Sequence, residues 1–167
     1  MKLNLCDMIE MPGKSVSFLT DLDPERISVS SIKSFIAPPR AQGEVRNTAG
    51  VLTLTGTIHA DMVCLCDRCG KEFTFRKDLP VEAKIAADAS DEADPDVFPL
   101  EDNTLDVSDV LETLFILATE TKFLCREDCA GLCPTCGKDL NDGPCSCKKE
   151  VDPRLAALSQ LLDKKDE

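Results

Sequence analysis

Nine of the ten cysteines of this 167-residue chain fall into two groups, and their spacing is that of metal ligands. The first group is Cys64-x-Cys66-x-x-Cys69-Gly70. The second is Cys125-x3-Cys129-x3-Cys133-Pro134-Thr135-Cys136-Gly137, followed by Cys145-Ser146-Cys147. The pairs Cys66/Cys69 and Cys133/Cys136 share the pattern Cys-x-x-Cys-Gly. With this spacing one tight turn aims two thiolates at one ion, and the following glycine can take a positive φ that brings backbone N–H groups toward the sulfurs.

A zinc ion needs two further ligands to close a tetrahedron. Cys145 and Cys147, across the Gly143-Pro144 turn, complete one four-thiolate set with Cys133 and Cys136. Cys66, Cys69, Cys125 and Cys129 form a second candidate set, which would clamp the C-terminal segment to the first cysteine group. Cys64 could stand in for Cys66, but it shares strand parity with Met62 and reads as a small buried apolar residue. Cys6 stands alone. The expected cofactor is Zn2+, one or two ions. Zinc-thiolate chemistry also admits a redox use, in which oxidation releases metal or a Cys-x-x-Cys pair cycles as a disulfide. Neither pair opens a helix in a βαβ unit, which argues against a thioredoxin-like catalyst.

Other catalytic chemistry is sparse. The one histidine, His59, lies on the polar face of a predicted strand without a partner at ligand or catalytic spacing, and reads as a surface residue. The sequence has no Gly-rich phosphate loop, no serine nucleophile elbow and no metalloprotease helix. A zinc ion enclosed by four thiolates offers no position for an activated water. The expectation is a protein that is not an enzyme.

The elements that must position the cysteines are legible around them. Leu52, Leu54, Gly56, Ile58, Ala60 and Met62 alternate with Thr53, Thr55, Thr57, His59 and Asp61, the period of a half-buried strand. A second run, Phe73 to Leu79, is continued in the same alternation by Val81, Ala83 and Ile85. Together they predict a hairpin with Cys66 and Cys69 at its tip, preceded by a turn at Asn47 to Gly50. Val16–Leu19 and Ile27–Ser30 are weaker candidate strands, and Pro38-Pro39 bars a helix between them and the hairpin.

Residues 86–103 carry seven carboxylates and no Lys or Arg, and predict a solvated loop or a lure for a basic partner. Residues 106–119 read as a helix with Val107, Val110, Leu111, Leu114, Leu117 and Ala118 on one face and Asp106 or Ser108 as cap. A further helix is predicted from Asp152 to Asp163. Its stripe of Leu155, Leu158, Leu161 and Leu162 would dock on the domain or hold a partner.

These elements give an α+β fold: an antiparallel β-sheet with a zinc-knuckle hairpin, one or two packed helices and a Cys-rich C-terminal zinc segment. Residues 1–124 would form the β-rich part, and residues 125–167 the Cys-rich segment and short helix folded back on it. The formal net charge of −12 disfavours binding to phosphate backbones and favours basic partners. The seven Phe are the chain's only aromatic residues, a poor platform for stacking RNA bases. The first residues, Met1 to Asp7, do not read as an export signal, and no apolar run is long enough to span a membrane. The expected compartment is the cytoplasm, where clustered cysteines point to metal or redox chemistry and not to disulfides.

In order, Thr55-Gly56 through Cys66-Asp67-Arg68-Cys69, the helix with Val110-Leu111-Glu112, then Leu124-Cys125, Cys129-Ala130-Gly131-Leu132-Cys133-Pro134-Thr135-Cys136-Gly137, Cys145-Ser146-Cys147 and Asp152-Pro153-Arg154-Leu155 resemble the bacterial YceD-type family of large ribosomal RNA subunit accumulation proteins. The resemblance covers roughly residues 45–162, and Gly-Leu-Cys-Pro-x-Cys-Gly is its most specific piece. It implies a role in accumulation or processing of large-subunit ribosomal RNA and in ribosome assembly, without an assigned catalytic activity. Some members of the family lack the C-terminal cysteines, and Cys64 lies outside the family pattern.

An acidic chain with this role is expected to act through ribosomal proteins or assembly factors, with pre-ribosomal RNA contacted directly or indirectly. Arg68, Lys71, Arg76 and Lys77 near the hairpin tip are the candidate RNA contacts. Asp67, Glu72 and Asp78 intersperse them, as on an ordinary solvated strand face. Two other readings are a zinc-thiolate redox sensor or holdase, and a plain interaction module using the Leu158/Leu161/Leu162 stripe.

Overall fold

A computed structural model of the chain describes residues 1–86 and 97–147. In chain order its elements are β1 (Lys2–Asn4), α1 (Cys6–Ile9), β2 (Ser15–Asp21), β3 (Ile32–Phe35), β4 (Arg40–Thr48), β5 (Val51–Leu65), β6 (Glu72–Ile85), β7 (Val97–Phe98), β8 (Thr104–Asp106) and α2 (Val107–Leu117), with a 3-10 turn at Leu140–Asp142. The architecture is mostly β-sheet with few helices.

The long hairpin is its axis. β5 and β6 pair antiparallel from Leu52↔Ile85 to Leu65↔Glu72. The period-2 pattern dictates the faces. Leu52, Leu54, Ile58, Ala60, Met62 and Cys64 are buried, as are Val81, Ala83 and Ile85 opposite. β5 is long enough to take two partners on its other edge. β4 pairs with its first half, from Thr48↔Val51 to Arg40↔His59, and β3 with its second half around Met62–Cys64. β2 lies outside β4, and β7 adds a short parallel pair to β6 at Lys84↔Val97 and Ile85↔Phe98.

A two-residue turn joins β4 to β5, with Ala49 at φ 54° and Gly50 at φ 93°. Positive φ at both centres is the turn that matches strand twist. Gly43 and Gly56 face each other across the same pair. A Cβ on Gly43 would meet the Thr55 carbonyl oxygen and lie 2.7 Å from both the Gly56 Cα and the Phe18 ring.

One face of the sheet is covered by α2. Its Val107, Val110, Leu111 and Phe115 are buried, with Phe115 tilted against Phe35 at 6.1 Å between ring centres. The Asp106 side chain caps it by accepting from the Asp109 N–H. β1 pairs with β8 immediately before the helix, and the Val107 N–H donates to the Met1 carbonyl at 2.9 Å. Glu112, buried on α2, accepts from the Asp23 N–H at 3.2 Å and pairs with Arg26 at 2.9 Å.

Several sequence expectations are revised. Ile27–Ser30 is not a strand; Ile27 is buried from an irregular segment, and the strand begins at Ile32. Arg40–Thr48 is a strand that the pattern did not announce, because its inward positions are Ala41, Gly43, Val45 and Asn47. Asn47 is fully buried and donates to the Met8 carbonyl at 2.6 Å. The stretch expected as loop from 86 to 103 includes β7, and Ala86 is buried with its N–H donating to Phe98 at 2.8 Å. Residues 87–96, and the helix and leucine stripe expected at 152–163, lie outside the described residues. No helix among the described residues is long and apolar enough to cross a membrane.

Candidate metal centres

The hairpin tip is the turn from Cys66 to Lys71. Cys66 N–H donates to Lys71 O at 2.9 Å and Gly70 N–H to Cys66 O at 2.8 Å. The same construction recurs in the C-terminal segment, where Cys133 N–H donates to Lys138 O at 2.8 Å and Gly137 N–H to Cys133 O at 2.9 Å. Gly70 and Gly137 take φ of 70° and 72°, the left-handed conformation that this turn requires. The two Cys-x-x-Cys-Gly segments are therefore the same knuckle, built once on a hairpin and once on irregular chain.

Each knuckle meets a second pair of cysteines. The sulfurs of Cys66, Cys69, Cys125 and Cys129 lie within 4.8 Å of one another, as do those of Cys133, Cys136, Cys145 and Cys147. In the first set Cys66 Sγ is 3.7 Å from Cys129 Sγ, and Cys69 Sγ is 3.8 Å from Cys125 Sγ. These separations far exceed a disulfide bond of about 2.05 Å. They match the edge of a tetrahedron, about 3.8 Å, around an ion with metal–sulfur bonds of about 2.3 Å. Both sets could hold a metal ion, and in both the donors are four soft sulfurs that enclose it.

The electrostatics agree with the geometry. Burial pushes the Cys66 thiol up, but backbone N–H groups of Cys125, Cys69 and Arg68 at its sulfur outweigh that effect and lower it to about 6. Backbone N–H groups of Cys136 and Thr135, with the Cys145 thiol, lower Cys133 to about 6 as well. Cys125 is pushed up to about 12 by burial and by the neighbouring Cys66, Cys69 and Cys129 sulfurs. Cys147 is pushed up to about 12 by Cys136, then by burial and Cys133. Each set thus contains one sulfur whose thiolate form is favoured and another whose thiolate form is disfavoured beside it. A divalent cation removes that conflict.

The sets differ in placement. The first is largely buried and joins the hairpin tip to a segment more than fifty residues later. Around it, Asp67 N–H donates to Phe123 O at 2.9 Å, Phe123 N–H donates back to Asp67 Oδ2 at 2.5 Å, and Arg68 Nη1 donates to Cys129 O at 2.7 Å. The second set is local to residues 133–147, with Cys136 exposed and Cys145 and Cys147 half-buried. Cys64 is in neither set; it lies in the core opposite Phe73. Cys6 is exposed at the start of α1.

The four candidate RNA contacts do not form one basic patch. Arg68 holds the Cys129 backbone, and Lys71 pairs with Asp139 at 2.6 Å. Arg76 pairs with Asp61 at 2.7 Å on the outer sheet face, its side chain 76% exposed. Lys77 points to the opposite face and is only 9% exposed, with its ammonium 2.7 Å from Ala118 O and 2.8 Å from Glu120 Oε2. Its parity with Phe75 and Leu79 carried that signal in the sequence. His59 is exposed as expected, but it does have a partner, Asp78, across the hairpin at 2.6 Å.

Two residues outside the cysteine pattern also belong to the centres. Asp139 accepts from the Asn141 N–H at 2.8 Å, and the Asn141 side chain reaches Cys129 Sγ at 3.5 Å. An Asp-x-Asn spacing is common in turns, and only the fold brings it to a sulfur.

Comparison with known proteins places these features in a family. The model of the family described as large ribosomal RNA subunit accumulation protein YceD matches residues 54–162, which include every cysteine of both sets. The chain is 28% identical over 171 residues to an uncharacterized protein, YlbN, of Bacillus subtilis, covering 100% of this chain and 99% of that relative. It is 34% identical over 118 residues to an uncharacterized protein of Mycobacterium tuberculosis, covering 68% of this chain and 56% of that one. A Mycobacterium bovis protein matches with the same figures. No solved structure matches the chain.

Proposed function

This chain belongs to the YceD family of large ribosomal RNA subunit accumulation proteins, and we propose that it is a non-enzymatic zinc protein supporting accumulation or processing of that RNA during ribosome assembly in the cytoplasm. The observation that carries the zinc part is the pair of four-sulfur sets, the first with tetrahedral edges of 3.7 and 3.8 Å. An all-thiolate tetrahedral set suits zinc and closes its coordination, so the ions act as structural staples with no position for substrate.

The mode of action in this reading is binding, with ribosomal proteins or assembly factors as partners. The net charge is −12, and two four-thiolate zinc sites make it more negative still. Lys71, Arg76 and Lys77 are each paired with a carboxylate, and Arg68 with a carbonyl. Such a surface attracts basic proteins more readily than phosphate, so contact with pre-ribosomal RNA is local or indirect.

The test is a pull-down of the tagged full-length chain from growing cells, divided into RNase-treated and untreated halves, with RNA sequencing and protein mass spectrometry. The expected result is ribosomal proteins or assembly factors that survive RNase. Recovery lost entirely on RNase treatment would replace the protein-partner mode with an RNA-mediated one. Absence of ribosomal material from both halves would overturn the assembly role.

The exposed Cys136 in the second set supports one other reading, a zinc-thiolate redox sensor or holdase. Peroxide separates the two. A sensor loses zinc and gains partner binding on oxidation, whereas an assembly protein loses its association together with its zinc.

A further inference from the structure

A side chain from the loop of the second cysteine set reaches a sulfur of the first. Asn141 lies on the 3-10 turn Leu140–Asp142, inside the segment bounded by Cys136 and Cys145 of the second set. Its Nδ2 lies 3.5 Å from Sγ of Cys129, a member of the first set. The orientation of the amide is determined on both sides. Its Oδ1 accepts from the Ala130 N–H at 2.8 Å and from Arg126 Nη2 at 2.7 Å, both obligate donors. Its Nδ2 also donates to Asp139 Oδ1 at 2.7 Å, an obligate acceptor there. The nitrogen must therefore face the sulfur.

The turn that carries Asn141 is tied to the first knuckle as well. Asp139 pairs with Lys71, the residue after the Cys66–Gly70 turn. Gly131 packs its backbone against Arg68 between Cys66 and Cys69, and accepts the Leu140 N–H at 2.9 Å. Closing the second set around an ion fixes both ends of this segment and so fixes where Asn141 stands.

We propose that the two metal centres are energetically coupled through Asn141, a positioning residue for the first centre, so that filling Cys133/Cys136/Cys145/Cys147 strengthens metal retention at Cys66/Cys69/Cys125/Cys129. An N–H donated to a coordinated thiolate disperses its charge and fixes its direction, and outer partners of this kind commonly govern about 10- to 100-fold in metal affinity. Coupling is reciprocal, so the buried centre strengthens the exposed one by the same factor. The proposal rests on the metal-centre reading above.

The test uses the full-length chain, reduced and stripped of metal, titrated with Co2+ in competition with a chelator under anaerobic conditions. The thiolate-to-cobalt absorption reports uptake. Cys145→Ser with Cys147→Ser leaves only the first centre, and Cys66→Ser with Cys69→Ser only the second. The two-ion affinity of the wild-type chain, divided by the product of the two single-centre affinities, is the coupling factor. The expected factor is about 10 or more, falling to about 1 in Asn141→Ala.

The affinity of the second centre alone, measured in the Cys66→Ser/Cys69→Ser background and expected unchanged by Asn141→Ala, guards against a loosened turn. Asn141→Asp, which lacks the N–H toward sulfur and toward Asp139, is expected to lose the coupling too. A wild-type factor within about twofold of 1, or a wild-type factor retained in Asn141→Asp, overturns the proposal while leaving both centres standing. A wild-type chain that takes up no cobalt removes the centres themselves, and the proposal with them.

Discussion

Lys77 and Glu120 pair at 2.8 Å below the end of α2, where the same ammonium donates to the Ala118 carbonyl at 2.7 Å. A lysine from the apolar side of β6 thus terminates a helix, satisfying a carbonyl and opposing the negative end of the helix dipole. Lys77→Met keeps the stem packing but leaves that carbonyl without its donor. It is expected to lower unfolding stability by about 1–2 kcal/mol in urea titrations. Lys77→Glu, beside Glu120, should cost more.

Glu120 gives a signature in pH. Burial pushes its carboxyl up, but the hydrogen bond and charge of Lys77 outweigh this and hold it below the ordinary value of 4.5. A depressed folded pKa contributes stability that is present above the unfolded value and is lost as pH falls through the folded one. Glu120→Gln should therefore flatten the acid-side loss of stability below pH 4.5 and leave its neutral-side slope unchanged. Urea midpoints measured across that range check both.

Gly43 leaves no room for a side chain. Gly43→Ala should destabilise by about 1–3 kcal/mol, because the added carbon overlaps the Thr55 and Gly56 backbone and the Phe18 ring. The companion change Phe18→Leu should not recover the loss, since the nearest overlap is with the Thr55 carbonyl oxygen of the paired strand. Thermal melts of the single and double variants decide it.

Metal removal should act unequally on the two centres. Cys66→Ser should release one zinc equivalent and lower stability by roughly 3 kcal/mol or more, because it opens the bridge between the hairpin tip and the Cys125–Cys129 segment. Cys145→Ser should also release one equivalent, with a smaller change in melting temperature, because its set is local and partly exposed. Metal analysis alongside calorimetry separates the two effects.

Arg76→Glu should leave the melting temperature little changed, as its pair with Asp61 is exposed. Ribosomal association should survive it. Loss of association at unchanged stability would place a partner contact on the outer sheet face, and RNase treatment of the wild-type complex would separate RNA from protein.

The hairpin and the two knuckles were legible because their signals are local: strict alternation from Leu52 to Met62, and Cys-x-x-Cys-Gly twice, whereas Cys125 and Cys129 reach the first knuckle only through the fold. β4 was not, since a strand with Gly43 and Asn47 facing inward lacks an apolar stripe. Those positions are decided by partners, Gly56 for the glycine and the Met8 carbonyl for the asparagine. Lys77 was misplaced for the opposite reason. Its charge drew it into a basic cluster with Arg76, although its parity assigned it to the core face. Asp139 and Asn141 carry no distinguishing pattern, and their proximity to Lys71 and Cys129 exists only after the chain has folded back.

The sequence distances spanned by the two sulfur sets imply an order of events. The second set closes within fifteen residues, Cys133 to Cys147, and can assemble as soon as that stretch of chain exists. The first joins Cys66 to Cys129 and Cys69 to Cys125. Its halves lie on β5–β6 and beyond α2, so pairing of the hairpin and the contact of Phe123 with Asp67 shorten the loop that the set must close. Entropy of closure falls on that long loop before any bond to the ion repays it. A metal count of two against one is therefore the expected mark of a chain whose hairpin tip has met its Cys125–Cys129 segment.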